Sequence, residues 1–241
     1  MILAIDAGNT AIKWGMHDGS EWQSQGSAIH SELVHVAKIW RTFATPDHII
    51  ISNVAGELVR SELALLLSPW HREPNWLVAK SRECGVVNGY AIPAQLGSDR
   101  WASLIAAKAI YDGSCLVVTV GTAMTVDALT EDGKFLGGII VPGPQLMLDA
   151  LAGKTAGVRP QQRGVFARFP DNTADAAFSG SLQALTGGIE RMRSSMVDTR
   201  QQEPFVILSG GGSSVLQPLL NMPFQVVDNL VLEGLIRIAQ Q

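Results

Sequence analysis

Cysteine is almost missing from this chain: Cys84 and Cys115 are the only two in 241 residues. Their spacing fits no metal-ligand pattern, and one pair is too few for a disulfide framework, so a reducing, cytoplasmic setting is expected. Charge is also sparse. Asp, Glu, Lys and Arg make up 17% of the residues, the net charge is −4, and no run of basic residues exceeds two. That balance argues against a protein that binds nucleic acid by neutralising phosphates. Long hydrophobic runs are missing too. Apolar stretches such as those around Leu116–Val120 and Ile139–Val141 are of strand length, so no membrane partner is expected. Met1-Ile2-Leu3-Ala4-Ile5-Asp6 has no basic region and meets an aspartate too early for a secretory signal. The five histidines (His17, His30, His35, His48 and His71) are scattered without ligand spacing and read as structural or surface residues.

What is present is apolar: 46% of the chain, enough for a buried core. Ile2–Ile5 reads as a strand running into Asp6-Ala7-Gly8-Asn9-Thr10, followed by an alternating strand from Ala11 and an Asp18-Gly19 turn. Ser31 is a candidate cap for an amphipathic helix whose stripe is Leu33, Val36, Ala37 and Trp40. A buried strand over 48–54, a helix over 57–67, a strand over 76–79 and an Ala-rich helix from Ser98 or Asp99 to Ile110 follow. The chain then starts again. A buried strand ending at Val120 enters Gly121-Thr122-Ala123-Met124-Thr125, with a second alternating strand and an Asp132-Gly133 turn. Aligning Gly8 with Gly121 superposes the two segments, which points to a duplication with lobes 1–112 and 113–241. Helices over 144–151, 173–196 and 229–239 and a strand over 205–208 complete the second half.

Three polar motifs carry chemistry. In the first, Gly8 permits a backbone whose successive N–H groups face an anion, Asn9 and Thr10 add neutral donors, and Asp6 at a strand end suits Mg²⁺ beside phosphates. The second, Gly121-Thr122, suits another part of a polyphosphate. Each also reads as an ordinary hairpin turn that satisfies its own backbone. The third, Gly97-Ser98-Asp99-Arg100, places a carboxylate and a guanidinium at a helix N-terminus, where the helix field favours an ionised proton acceptor. Arg100 offers planar donors to a substrate carboxylate or carbonyl, and simple helix capping is the alternative. Leu151-Ala152-Gly153-Lys154-Thr155 is no P-loop, because Leu148 stands where the first glycine is needed. Gly210-Gly211-Gly212 lacks the third glycine of a dinucleotide fingerprint, which is Val215 here. That triplet, or the stretch from Gly137 to Gly143, is a candidate floor for an adenine.

Taken in order, Asp6 to Gly15, Ser52-Asn53-Val54, Asn88-Gly89-Tyr90, Gly97-Ser98-Asp99-Arg100, Gly121 to Thr125, Gly137-Gly138, Pro142-Gly143, Asn172-Thr173 and Gly210-Gly211 resemble type III pantothenate kinases of the actin-like (acetate and sugar kinase) superfamily. The resemblance implies two ribonuclease-H-like α/β lobes with mixed sheets flanked by helices and an ATP cleft between them. It also implies a homodimer and ATP- and Mg²⁺-dependent phosphorylation of pantothenate, the first step of coenzyme A synthesis. Carried over residue by residue, Asp6, Ala7, Gly8, Asn9, Thr10, Ala11, Ile12 and Lys13 match the first phosphate motif, with Asp6 near the metal. Gly121 and Thr122 match the second. Asp99 matches the catalytic base; Tyr90, Gly97, Ser98, Asp99 and Arg100 match pantothenate contacts; Thr173 matches a contact reaching the neighbouring subunit's site. One departure is Thr119, where many members carry an aspartate associated with K⁺ or NH₄⁺. A non-catalytic nucleotide-binding accessory protein and a kinase for another small hydroxylated substrate are the competing readings, since fold alone does not choose a substrate.

Overall fold

The computed structural model describes residues 1–155, 158, 164–200 and 203–241. They form two compact units, one of Met1–Asp112, Gly133–Phe135 and Asn229–Gln241, the other of Gly113–Asp132 and Leu136–Asp228.

The first unit begins with β1 (Ile2–Ala7), β2 (Ala11–His17), β3 (Trp22–Ile29), α1 (Leu33–Trp40) and β4 (His48–Asn53). It continues with α2 (Glu57–Leu67), β5 (Asn75–Trp76), the short pair β6 (Arg82–Glu83) and β7 (Val86–Val87), and α3 (Ser98–Ile110). Its sheet has the order β3-β2-β1-β4-β5. β1 pairs antiparallel with β2 and parallel with β4. Being central, β1 and β4 are buried along nearly their whole length, which is why they read as continuous apolar runs. The four stripe residues of α1 are all buried, but Ser31 does not cap that helix, which grows out of a 3₁₀ turn over His30–Glu32.

β3 was not expected, because its sequence WQSQGSAI is half exposed and mostly polar. Partner geometry forms it. A Cβ on Gly26 would lie 2.7 Å from the Trp14 ring and one on Gly15 would lie 2.4 Å from the Trp22 ring, so each indole lies across a cross-strand glycine.

The second unit repeats the plan. Its elements are β8 (Cys115–Val120), β9 (Ala123–Leu129), β10 (Phe135–Pro142, whose first residue clusters with the first unit), α4 (Pro144–Lys154), α5 (Thr173–Arg200), β11 (Phe205–Ser209) and β12 (Phe224–Val226). The sheet order, β10-β9-β8-β11-β12, is that of the first unit position by position. Burial along β8 and β9 repeats that along β1 and β2 residue for residue. Two mixed five-stranded sheets with flanking helices are the α/β class that the sequence predicts.

The last helix, α6 (Leu230–Ala239), clusters with the first unit, whereas the sequence reading placed residues 113–241 together. It packs on α3 and on β1, and the reason is steric. A Cβ on Gly234 would stand 1.9 Å from the carbonyl oxygen of Ala102, so the helices touch backbone to backbone at small residues. Trp22 Nε1 donates to Glu233 Oε1 at 2.7 Å and Gln240 Nε2 to Gly19 O at 2.7 Å, fastening the helix to the sheet edge. Gly234→Ala gains about 1 kcal/mol of helix propensity, yet forced overpacking costs about 1–3 kcal/mol or more. We expect net destabilisation of about 1–2 kcal/mol in urea unfolding; a variant more stable than wild type would show that α6 shifts freely on α3.

Candidate active site

In the first unit, β1 and β4 end side by side, with Asp6 paired with Ser52 and Ala7 with Asn53. The chain leaves β1 through Gly8-Asn9-Thr10, and the Gly8 N–H donates to Ala11 O at 3.1 Å. Asn9 and Thr10 are exposed, whereas Ala7 and Ile12 are fully buried and offer a ligand only their main chain. Lys13 is the cross-strand partner of Asp6. His30 Nε2 donates to Gly8 O at 2.9 Å.

The start of α3 belongs to the same unit. The Ser52 and Ser98 hydroxyls, both buried, are 2.9 Å apart and join the end of β4 to the first residue of α3. Asp99 Oδ1 accepts from the Arg100 N–H at 2.8 Å. A Cβ at position 97 would lie 2.6 Å from that carboxylate oxygen, so Gly97 makes room for the acid. Arg100 is only 6% exposed; its Nη1 donates to the Tyr90 hydroxyl at 3.0 Å, and its guanidinium carbon lies 5.8 Å from the ring centres of Tyr90 and Phe135. Arg100 is thus engaged in holding Tyr90.

Burial dominates the electrostatics of the two acids. Burial first, and then the charge of Asp99, push Asp6 up to about 7 against the opposing pull of Lys13. Burial also raises Asp99, outweighing the Arg100 N–H and guanidinium, which lower it. Two acids held above their ordinary range, one raising the other, form a place where a cation is favourable. Among the described residues no cluster of three or more His, Cys, Asp or Glu could hold a metal. A site of one or two carboxylates with water and phosphate oxygens is the Mg²⁺ pattern, and Asp6 fits it.

In the second unit, Gly121 and Thr122 form the turn between β8 and β9, with the Gly121 N–H donating to Ala123 O at 2.9 Å. Thr119 occupies in β8 the place of Asp6 in β1, two residues before the turn glycine. Gly210, at φ 93°, passes β8 where any Cβ would lie 2.3 Å from Val120 O, and Gly212 N donates to that oxygen at 2.9 Å. A cavity of about 550 Å³ opens here, lined among others by Gly121, Gly211, Gly212, Asp149, Phe178 and Ser214. Of the two glycine stretches considered for an adenine, Gly211 and Gly212 of the first line this cavity, while Gly137 and Gly138 of the second lie in edge strand β10 and do not. The Gly153-Lys154-Thr155 run closes the C-terminal end of α4, the opposite end of a helix from a P-loop. Thr173, the exposed first residue of α5, belongs to this unit, whereas Tyr90, Asp99 and Arg100 belong to the first.

The sequence profile of the type III pantothenate kinases matches residues 2–195. The chain belongs to that family. The type III pantothenate kinase of Nitrosospira multiformis is 48% identical over 241 residues, covering 100% of this chain and 92% of the relative. That of Dechloromonas aromatica is 39% identical over 239 residues, covering 99% of each. Among solved structures, a Campylobacter jejuni protein described as a Baf-family transcriptional activator superposes with a TM-score of 0.61 at 20% identity, covering 99% of this chain and 97% of its own. A Sinorhizobium meliloti protein described as a 2-dehydro-3-deoxygalactonokinase gives 0.61 at 16%, covering 100% and 98%. These likenesses show the fold, the two-lobed actin-like one. Membership of the pantothenate kinase family also agrees with the absence, among the described residues, of any helix long and apolar enough to cross a membrane.

Sequence reasoning missed two contacts beside the predicted motifs, Ser52 with Ser98 and His30 with Gly8. Ser52 stands inside a motif but has no task there, and His30 reads from sequence as a structural or surface residue. A lone serine at a strand end and an isolated histidine carry no spacing signal; only the tertiary contact reveals them.

Proposed function

We propose that Asp99 accepts the proton of the primary hydroxyl of pantothenate as the γ-phosphoryl group of ATP is transferred to that oxygen. ATP-dependent phosphorylation of pantothenate, opening coenzyme A synthesis, is the activity of the family to which the chain belongs. The observation that carries the residue-level reading is the repetition of one glycine turn at the same place in two equivalent sheets, each at the carboxyl end of its central strand.

Phosphoryl transfer asks mainly for positioning and charge neutralisation. The first unit contributes the N–H groups of Gly8, Asn9 and Thr10, the Lys13 ammonium and the Asp6 carboxylate. In the second unit, Gly121, Gly211 and Gly212 line a cavity sized for a nucleoside, beside Thr122. Asp6 would hold Mg²⁺, which when bound neutralises charge on the phosphate oxygens. Tyr90, Gly97, Ser98 and Arg100 hold pantothenate. Asp99 orients its hydroxyl and takes the proton late, since a carboxylate is too weak a base to ionise an alcohol beforehand. Thr173 contacts the site of the neighbouring subunit in a homodimer.

A coupled ADP-release assay tests the substrate: turnover with pantothenate and none with a panel of hydroxy acids and sugars is expected. No pantothenate-dependent ADP release would overturn the reading. Thr119 bears on the monovalent cation. A neutral hydroxyl is a poorer K⁺ or NH₄⁺ ligand than a carboxylate, so the rate in Na⁺ or Tris buffer is expected to stay within about threefold of that in K⁺. Activity at background until K⁺ is added would refute this.

A further inference from the structure

We propose that His30 is a positioning residue for the donor phosphates, acting by fixing the direction of the Gly8–Asn9 peptide. The inference rests on the assignment of the Gly8-Asn9-Thr10 turn to phosphate binding.

His30 follows β3 directly. Its Nε2 lies 2.9 Å from the Gly8 carbonyl oxygen, and because a carbonyl only accepts, Nε2 carries the proton. The other ring nitrogen, Nδ1, is buried without a hydrogen-bond partner, an arrangement that protein interiors seldom tolerate. The contact the ring does make therefore defines its task. A trans peptide holds C=O and N–H antiparallel in one plane. Holding the Gly8 carbonyl toward His30 consequently turns the Asn9 N–H the opposite way, out of the turn, where an anion would meet it.

The duplicated architecture supplies an independent argument. The residue that follows the third strand of the second unit is Gly143, and its backbone N–H donates to the carbonyl of Thr122, in the turn equivalent to that of Gly8, at 2.8 Å. At position 143 a Cβ would stand 2.1 Å from Gly121 O, so the main chain itself approaches the turn. In each half the residue after the third strand thus ties back a carbonyl of the glycine turn, through an imidazole at Gly8 in the first and through a main-chain N–H at Thr122, one residue beyond the equivalent of Gly8, in the second. Two chemically different solutions at one architectural position point to a shared requirement, a turn whose carbonyl is tied back.

The test is steady-state kinetics of H30A and H30Q, varying ATP·Mg²⁺ and pantothenate separately. KM does not depend on the amount of folded enzyme, so partial misfolding does not obscure it. Losing one hydrogen bond of this kind is expected to raise the ATP KM of H30A about tenfold and leave the pantothenate KM within about twofold. H30Q, whose amide restores a donor near Nε2, should return the ATP KM to within about threefold of wild type. An unchanged ATP KM in H30A, an equal rise in both KM values, or failure of both variants to fold would overturn the inference. Lys13→Ala separates this from the reading beneath it. If Lys13→Ala raises the ATP KM and H30A does not, only the role of His30 falls; if neither does, phosphate binding by this turn falls as well.

Discussion

Replacing Asp99 with Asn is expected to lower kcat by about 10²–10⁴ while pantothenate still binds, the range typical for loss of a positioned proton acceptor. The geometry favours a clean experiment. Asn is isosteric, and its carbonyl oxygen can still accept from the Arg100 N–H, which now holds the carboxylate at 2.8 Å. The space left by Gly97 and the Ser52–Ser98 contact are untouched. What is lost is the capacity to take a proton. Because burial raises Asp99 above the ordinary carboxylate range, its basicity lies closer to the operating pH than that of an exposed aspartate. A kcat within threefold of wild type, with pantothenate binding confirmed by calorimetry, would remove Asp99 from the role.

The second large effect concerns stability and runs opposite to function. Asp6 sits at about 7 in the folded protein against an ordinary 3.8, from burial and from the charge of Asp99. A group raised on folding stabilises the protein most below its unfolded value, and that contribution is lost as pH rises through the folded value. The metal-free protein is therefore expected to lose stability between pH 4 and 7, by as much as about 4 kcal/mol from this group. Asp6→Asn mimics the neutral acid. It should flatten that slope, melt higher than wild type at pH 8 without Mg²⁺, and lose both stabilisation by Mg²⁺ with ATP and most of the activity. Thermal melts at pH 5, 6, 7 and 8, with and without Mg²⁺, read all of these. Parallel slopes for wild type and Asp6→Asn would show that Asp6 is ionised throughout.

Both predictions concern residues that stand out in the sequence because they break apolar strands or open a helix at a chemically informative place. The central strands were legible for a related reason: β1, β4, β8 and β11 are covered on both faces and must be apolar along their length. Helix α2 likewise has the bounds that its composition predicts, Glu57–Leu67. The edge strands β3 and β12 were not legible. Their residues are half exposed, and they exist because a neighbour offers a free hydrogen-bonding edge and, for β3, because two indoles lie over Gly15 and Gly26.

Residue order alone thus determined the duplicated plan, the two glycine turns and the acids Asp6 and Asp99, since these depend on local periodicity and on conformations that few residues adopt. Tertiary structure decided the rest. It sent α6 to the first unit through backbone contact at Gly234, raised Asp6 and Asp99 by excluding water, turned Arg100 toward Tyr90, and brought His30 to Gly8 from 22 residues along the chain. Burial and long-range contact are properties of the assembled chain, and no window of sequence contains them.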